Sequence, residues 1–328
     1  MMDATSHRRV RLFALIAAGA IQASACGTQP AATNKSSSAP PHVQAGITLA
    51  RATKVVRSYM TREFKANLTW DVAVQSELEA PPQLYIDDLS WLLAKAAGQT
   101  PAPTPKNLAS LPLRLFVPPG ANFFAAYINR TYMVFVQQGK QYVQTYSPNT
   151  YQGSPVAQVQ LNKQGYATFI APSGYGKLKL TPMQVAARYA ADLQTGSEGK
   201  PVTDTTFAPG PDTSQAFVKF VVQSPNETTA TSVKALADPV YAFALKGRGA
   251  LVFCCVEADR TYTAAKGQHF AVVKGASDGL AGVMPAGNYT QVTYQGEITL
   301  AAIVPPAGSS AKVQVVGADY GPIKITGK

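Results

Sequence analysis

The amino-acid sequence predicts an α+β protein, with a helix-led, curved antiparallel sheet of cone-like shape followed by a smaller β-rich domain. Three observations carry this. Helical periodicity is confined to stretches near 48–97 and 181–196. Short strand-like runs punctuated by Gly and Pro fill most of the remainder. Hydrophobic residues make up 46% of the chain against 14% charged, ample material for a core. At 328 residues the chain exceeds one ordinary domain, so two folded units are expected.

Taken in order, residues 1–25 read as a secretory signal. Arg8, Arg9 and Arg11 make a basic start, and Leu12–Ala23 is an uncharged, mainly apolar run of 12 residues broken only by Gln22. That run is too short to span roughly 30 Å of hydrocarbon. Ala23-Ser24-Ala25-Cys26 follows, and this stretch resembles the lipobox of bacterial lipoproteins. The resemblance implies that Cys26 receives a diacylglycerol before cleavage and a further acyl chain such as palmitate after it. Ala25 and Ser24 fit the pattern, whereas Ala23 stands where Leu is commoner. Arg8-Arg9 is similar to a twin-arginine signal only in that pair, which leaves the export route open. Two or three acyl chains give a stable anchor where one does not.

Residues 26–46 read as a flexible tether, rich in Ser, Ala, Pro and Thr, with composition too polar to offset its ordering entropy. Twenty such residues span about 25 Å root-mean-square. A helix-led α+β domain is then expected over 47–196. Leu49, Ala52, Val55, Val56, Tyr59 and Met60 recur at helical spacing. Thr69 is a candidate cap for a second helix, and Pro82–Ala97, stopped by Gly98, forms a third. Strands are expected at Pro112–Val117, Asn122–Ile128, Tyr132–Gln137, Gln141–Tyr146, Ala157–Leu161 and Ala167–Ala171. Thr181-Pro182-Met183-Gln184 then supplies a capping Thr, a Pro at the first helical position and a Gln three residues after the cap.

The polar, Pro/Gly-containing stretch 197–213 is taken as a linker, and 214–328 as a β-rich domain. Gln215–Gln223 reads as either strand or helix, and strands are expected at Val240–Leu245, Ala250–Glu257, His269–Lys274, Tyr289–Tyr294, Glu297–Val304, Lys312–Val316 and Pro322–Thr326. Lys246-Gly247-Arg248-Gly249 has the chemistry of a hairpin turn. Helices first and meandering strands after resemble the cone-like sheet of nuclear-transport-factor-2-like domains over roughly 48–194. The whole layout, with Pro239–Tyr241 to Leu251–Phe253, is similar to lipoproteins of high-GC Gram-positive bacteria. That resemblance implies location and architecture and carries no activity.

Lys and Arg number 29 against 18 Asp and Glu, for a net +11. Without Arg8, Arg9, Arg11 and Asp3 the count falls to about +9. A positive, sparsely charged body suits an anionic envelope polymer or anionic headgroups. Nucleic acid is not expected as a partner, because no dense basic run is interleaved with aromatics.

Catalytic signals are thin. His7 and His42 precede the expected body, leaving His269, which reads as a partly buried structural residue in a strand. No Gly-x-Ser-x-Gly, Ser-x-x-Lys or His-Glu-x-x-His occurs, and neither a metal nor a cofactor is expected. Asp87-Asp88, Glu77 with Glu79, and Glu257 with Asp259 are the carboxylate candidates, each read as solvated surface charge in preference to an acid–base pair. Among them Glu257 and Asp259 alternate onto one strand face and stand out. Cys254-Cys255 should face opposite sides of a strand as separate thiols.

Tyrosine is more suggestive. Tyr127, Tyr132, Tyr142 and Tyr146 are candidate ligand contacts if the sheet curves, since Tyr joins apolar area to a polar tip. The expectation is a non-catalytic binding or assembly module, lipid-anchored at Cys26 on the outer face of the bacterial cytoplasmic membrane. An envelope protein or an anionic envelope polymer would be its partner. The alternative is a cell-envelope hydrolase using a carboxylate pair.

Overall fold

The computed structural model describes residues 46–101, 110–151, 153–174, 177–204, 206–215, 227–236, 239–274 and 279–328. Its architecture is α+β, as the sequence predicts. Helix α1 (Leu49–Asn67) starts where the Thr48 hydroxyl accepts from the Arg51 N–H, and it buries Ala52, Val56, Tyr59 and Met60 on one stripe. Helix α2 (Val72–Leu78) is capped by Asp71 instead of the expected Thr69, because Trp70 adopts positive φ and turns the chain between them. Helix α3 (Gln83–Ala96) ends beside Gly98, whose φ of +68° is the left-handed region open to glycine. Helix α4 (Pro182–Ser197) carries the full reciprocal capping box between Thr181 and Gln184.

The strands are β1 (Leu113–Phe116), β2 (Phe123–Ile128), β3 (Thr131–Gln138), β4 (Gln141–Tyr146), β5 (Asn149–Thr150), β6 (Glu227–Ala235), β7 (Tyr241–Ala244), β8 (Ala250–Ala264), β9 (Phe270–Val272), β10 (Gly287–Tyr289), β11 (Gln291–Val304) and β12 (Gln314–Gly327). Ten of them form one antiparallel sheet in the order β1-β2-β3-β5-β12-β11-β8-β6, with β4 on β3 and β7 on β8. The expected Tyr289–Tyr294 and Glu297–Val304 runs merge into β11 once the short β10 is set aside. Lys312–Val316 and Pro322–Thr326 likewise merge into β12. A register shift between Gln295 and Gly296 leaves Ile323 out of the pairing next to Pro322, and the strand continues past both. Ala157–Leu161 and Ala167–Ala171 make isolated bridges only. The expected Gln215–Gln223 run lies almost wholly outside the described residues.

Four apolar clusters hold the fold. One joins Val185, Tyr189 and Leu193 of α4 to Val252, Cys254 and Leu300 on one sheet face. A second, on the other face, joins Phe123 and Tyr132 to Phe243, Phe253 and Cys255. Tyr132 meets Phe253 with ring centroids 5.6 Å apart, although β5, β12 and β11 lie between their strands, so the sheet is strongly bent. A third cluster seats α1 on Phe124 and Phe135, and a fourth packs Leu89 and Leu93 of α3 against Val292, Tyr294 and Ile325. Strands from before and after 197–213 share one sheet, and the second cluster draws residues from both sides. That stretch therefore connects α4 to parts of one continuous structure. Its Pro/Gly-rich polarity marks a surface connection as readily as an interdomain linker.

Candidate functional site: a carboxylate row and a buried tyrosine–glutamate cluster

The antiparallel register builds a polar row below the second apolar cluster. Lys234 of β6 stands opposite Glu257 of β8, and Glu257 stands opposite Glu297 of β11. Cross-strand neighbours have Cβ atoms about 4.5–5.5 Å apart, so Glu257 and Glu297 are adjacent carboxylates. Asp259 lies two residues along β8 on the same face, opposite Ser232. Lys234 Nζ is 2.7 Å from Glu257 Oε1, and that bond raises the lysine pKa. Asp259 is pushed up to about 6, first by burial and then by the neighbouring Glu257 charge, while the Gly296 N–H works the other way. Of the sequence candidates, then, Glu257 and Asp259 do come together. Glu297, buried opposite Glu257, completes the row and was missed, because its register to β8 is not encoded in either strand alone.

The other carboxylate candidates do not pair. Asp87 accepts from Gln83 Nε2 at 2.9 Å, whereas burial raises the pKa of Asp88. Glu77 is exposed and bonds Arg62. Glu79 corrects the surface-charge expectation, being only 2% exposed. It sits at the end of α2 beneath α1, α3 and β4, where Ala80 N–H donates to Gln144 O. Tyr59 Oη lies 2.6 Å from Glu79 Oε1 and 2.5 Å from Gln144 Oε1. One hydroxyl has one proton, so both contacts are satisfied when Glu79 is protonated, donates to Tyr59, and Tyr59 donates to Gln144. Reversing the Gln144 amide would also satisfy Tyr59 but would leave Glu79 charged and buried. Burial pushes Glu79 well above the usual carboxylate range, helped by the Asp87 and Glu63 charges and opposed by Tyr59 and Gln75. Burial raises Tyr59 in the same way, with Glu79 adding to it.

The four tyrosines do not share a face. Tyr132 and Tyr146 are core residues. Tyr132 Oη accepts from Ala157 N–H at 2.9 Å, and Tyr146 O–H donates to Pro239 O at 3.0 Å. Tyr127 packs on Tyr132, while Tyr142 joins the α1 cluster beneath Arg51. The cause is a register shift between Val134 and Phe135. It pairs Tyr146 with Val134 but Tyr142 with Gln137, so an even spacing of four no longer keeps both on one side. A common ligand face of these four is thereby replaced by two cores.

Cys254 and Cys255 are buried thiols divided between the two faces. Burial pushes the Cys254 thiol up to about 12, which makes it inert. His269 corrects another expectation: it is exposed, just ahead of β9. Among the described residues no group of three or more His, Cys, Asp or Glu is arranged to hold a metal ion.

With this geometry in hand the chain can be compared with known proteins. It belongs to the family described as Domain of unknown function (DUF8094), whose model matches residues 43–327. No curated protein and no solved structure matches, so the likeness to nuclear-transport-factor-2-like domains stays one of sequence pattern.

Proposed function

We propose that the protein is a lipid-anchored envelope protein, held at Cys26 on the outer face of a bacterial cytoplasmic membrane, whose body acts by binding. The observation that carries this is a division of the chain. The basic, apolar and lipobox-like segments and the Ser/Pro-rich stretch all precede residue 43, where the family match begins. A leader and tether ahead of a folded body give that arrangement, with an envelope protein or anionic polymer as partner. Among the described residues no helix is long and apolar enough to cross a membrane. Cys26→Ser should move the protein from the membrane fraction to the soluble fraction. Retention of the variant in washed membranes would sink the anchor.

The carboxylate row favours a second reading, an envelope hydrolase. Asp259, raised to about 6, has the protonation behaviour of a general acid near neutral pH, and Glu257 with Glu297 supplies adjacent carboxylates. Purified protein would then release reducing ends from cell-wall glycan, and Asp259→Asn or Glu297→Gln would abolish the release. No release by the unsubstituted protein between pH 5 and 7 rejects this reading.

A further inference from the structure

We propose that the end of the body formed by the β7–β8 turn, the β11–β12 connection and the start of α4 docks on an anionic membrane surface. The inference rests on the anchored reading, because it concerns how a tethered body lies. Lys246 and Arg248 stand exposed in the β7–β8 turn, which is closed by Leu245 N–H donating to Gly249 O at 2.9 Å. Ala250, next along, pairs with Val304 at the end of β11. Beyond Val304 the chain meets the approach to α4: Lys179 N–H donates to Pro305 O, and Ala307 N–H donates to Lys177 O. Lys179 Nζ reaches Ala311 O at 2.9 Å, one residue before Lys312. Five cations, Lys177, Lys179, Lys246, Arg248 and Lys312, are thus gathered on connected loops at one end of the sheet.

Carboxylates are kept away from that end. The sequence has no Asp or Glu over 89–191, 239–256 or 298–318. Glu257, Glu297 and Asp319 lie five to seven residues along their strands from it, about 17–23 Å at 3.3 Å per residue. The nearer acids flank Phe207, which bridges Val313. Of these, Asp204 is paired with Arg188 and Asp212 accepts from Tyr151. The N-terminus of α4 adds positive partial charge at the same end. Met183, 57% exposed on its first turn, adds an apolar side chain beside the cations. A headgroup layer accepts both the charge and the methionine, whereas a soluble polyanion offers the methionine nothing. Residues 26–45 extend to at most about 70 Å, and β8 is about 50 Å long, so the tether allows this end to face the bilayer.

The test uses full-length Cys26→Ser protein, which lacks the lipid, co-sedimented with equimolar phosphatidylglycerol–phosphatidylcholine vesicles. Binding is expected to these and not to pure phosphatidylcholine, and about 0.5 M salt should release it. Lys246→Ala with Arg248→Ala should weaken partitioning about 25-fold, about fivefold for each cation lost at a charged surface. Lys266→Ala with Lys274→Ala, beyond the opposite end of β8, should change nothing. Equal losses from both pairs, absence of lipid selectivity, or capture of polyphosphate without vesicle binding would each overturn the proposal. Because the vesicle assay needs no acylation, it can fail while the Cys26 fractionation succeeds, and the reverse, so the two claims separate.

Discussion

The protonated Glu79 makes a prediction whose size follows from its surroundings. Glu79 faces Tyr59 and Glu63 of α1, Gln75 on its own helix, Asp87 of α3 and Gln144 of β4, and no cation is among the groups that shift it. Its pKa is raised by folding, first through burial. For an acid shifted this way, the stabilisation is fully present below the unfolded carboxyl value, about 4.3. It is lost as pH rises toward the folded value, because the native state then holds a proton that the unfolded state has released. Each pH unit within that window removes about 1.4 kcal/mol. Glu79→Gln keeps the shape and an N–H donor toward Tyr59 but cannot ionise. The difference in unfolding free energy between variant and parent should therefore grow in favour of the variant by about 1.4 kcal/mol per pH unit from about pH 5 upward. Urea unfolding of both proteins at half-unit pH steps measures this, and titrating groups that do not interact with Glu79 cancel in the difference. A flat difference curve would show that Glu79 is ionised in the fold and would refute the proton assignment.

Other outcomes follow from single contacts. Thr181→Ala removes one half of the α4 capping box and should cost about 1 kcal/mol in chemical denaturation. An unchanged midpoint would show that the box is idle. Phe253 is fully buried between Tyr132 and Phe243, so Phe253→Ala should cost about 3–5 kcal/mol. A loss under 1 kcal/mol would mean that the bent sheet is not packed across its inner face. The Gln194 side chain accepts from Val233 N–H and donates to Thr231 O. Gln194→Ala should lose about 1–2 kcal/mol and speed amide exchange at Val233, and unaltered exchange there would contradict the contact.

What could be seen in advance was local. Thr181, Pro182 and Gln184 are sequence neighbours, so the start of α4 was legible to the residue, as was the glycine turn at Gly247. β6 was not anticipated, because Glu227–Ala235 alternates exposed and half-buried small polar residues and lacks the apolar signal of a strand. Glu79 follows Leu78 on a short helix and reads as surface, and what surrounds it comes from Tyr59 of α1, Asp87 of α3 and, far along the chain, Gln144. The tyrosines divide between two clusters for a similar reason: one unpaired residue in β4 reverses a face, and alternation in the sequence cannot show it. Glu257 and Asp259 were visible as a pair within one strand. Glu297 required knowledge of which strand lies alongside and in what register.

The position of β12 has a consequence for how the chain matures. Among the described strands it is the one between β5 and β11, through Asn149 with Ala318 and Ala301 with Gly317. The long ladders of the two halves therefore meet only once residues 314–327 have found both neighbours, although Gln160 N–H on Ala244 O and Ile170 N–H on Ala242 O make a shorter link beside them. Pairing across such a separation is slow, since most of the loop-closure entropy is spent before any contact rewards it. A nascent chain of this topology completes its sheet last, when its final strand has emerged and joined both neighbours.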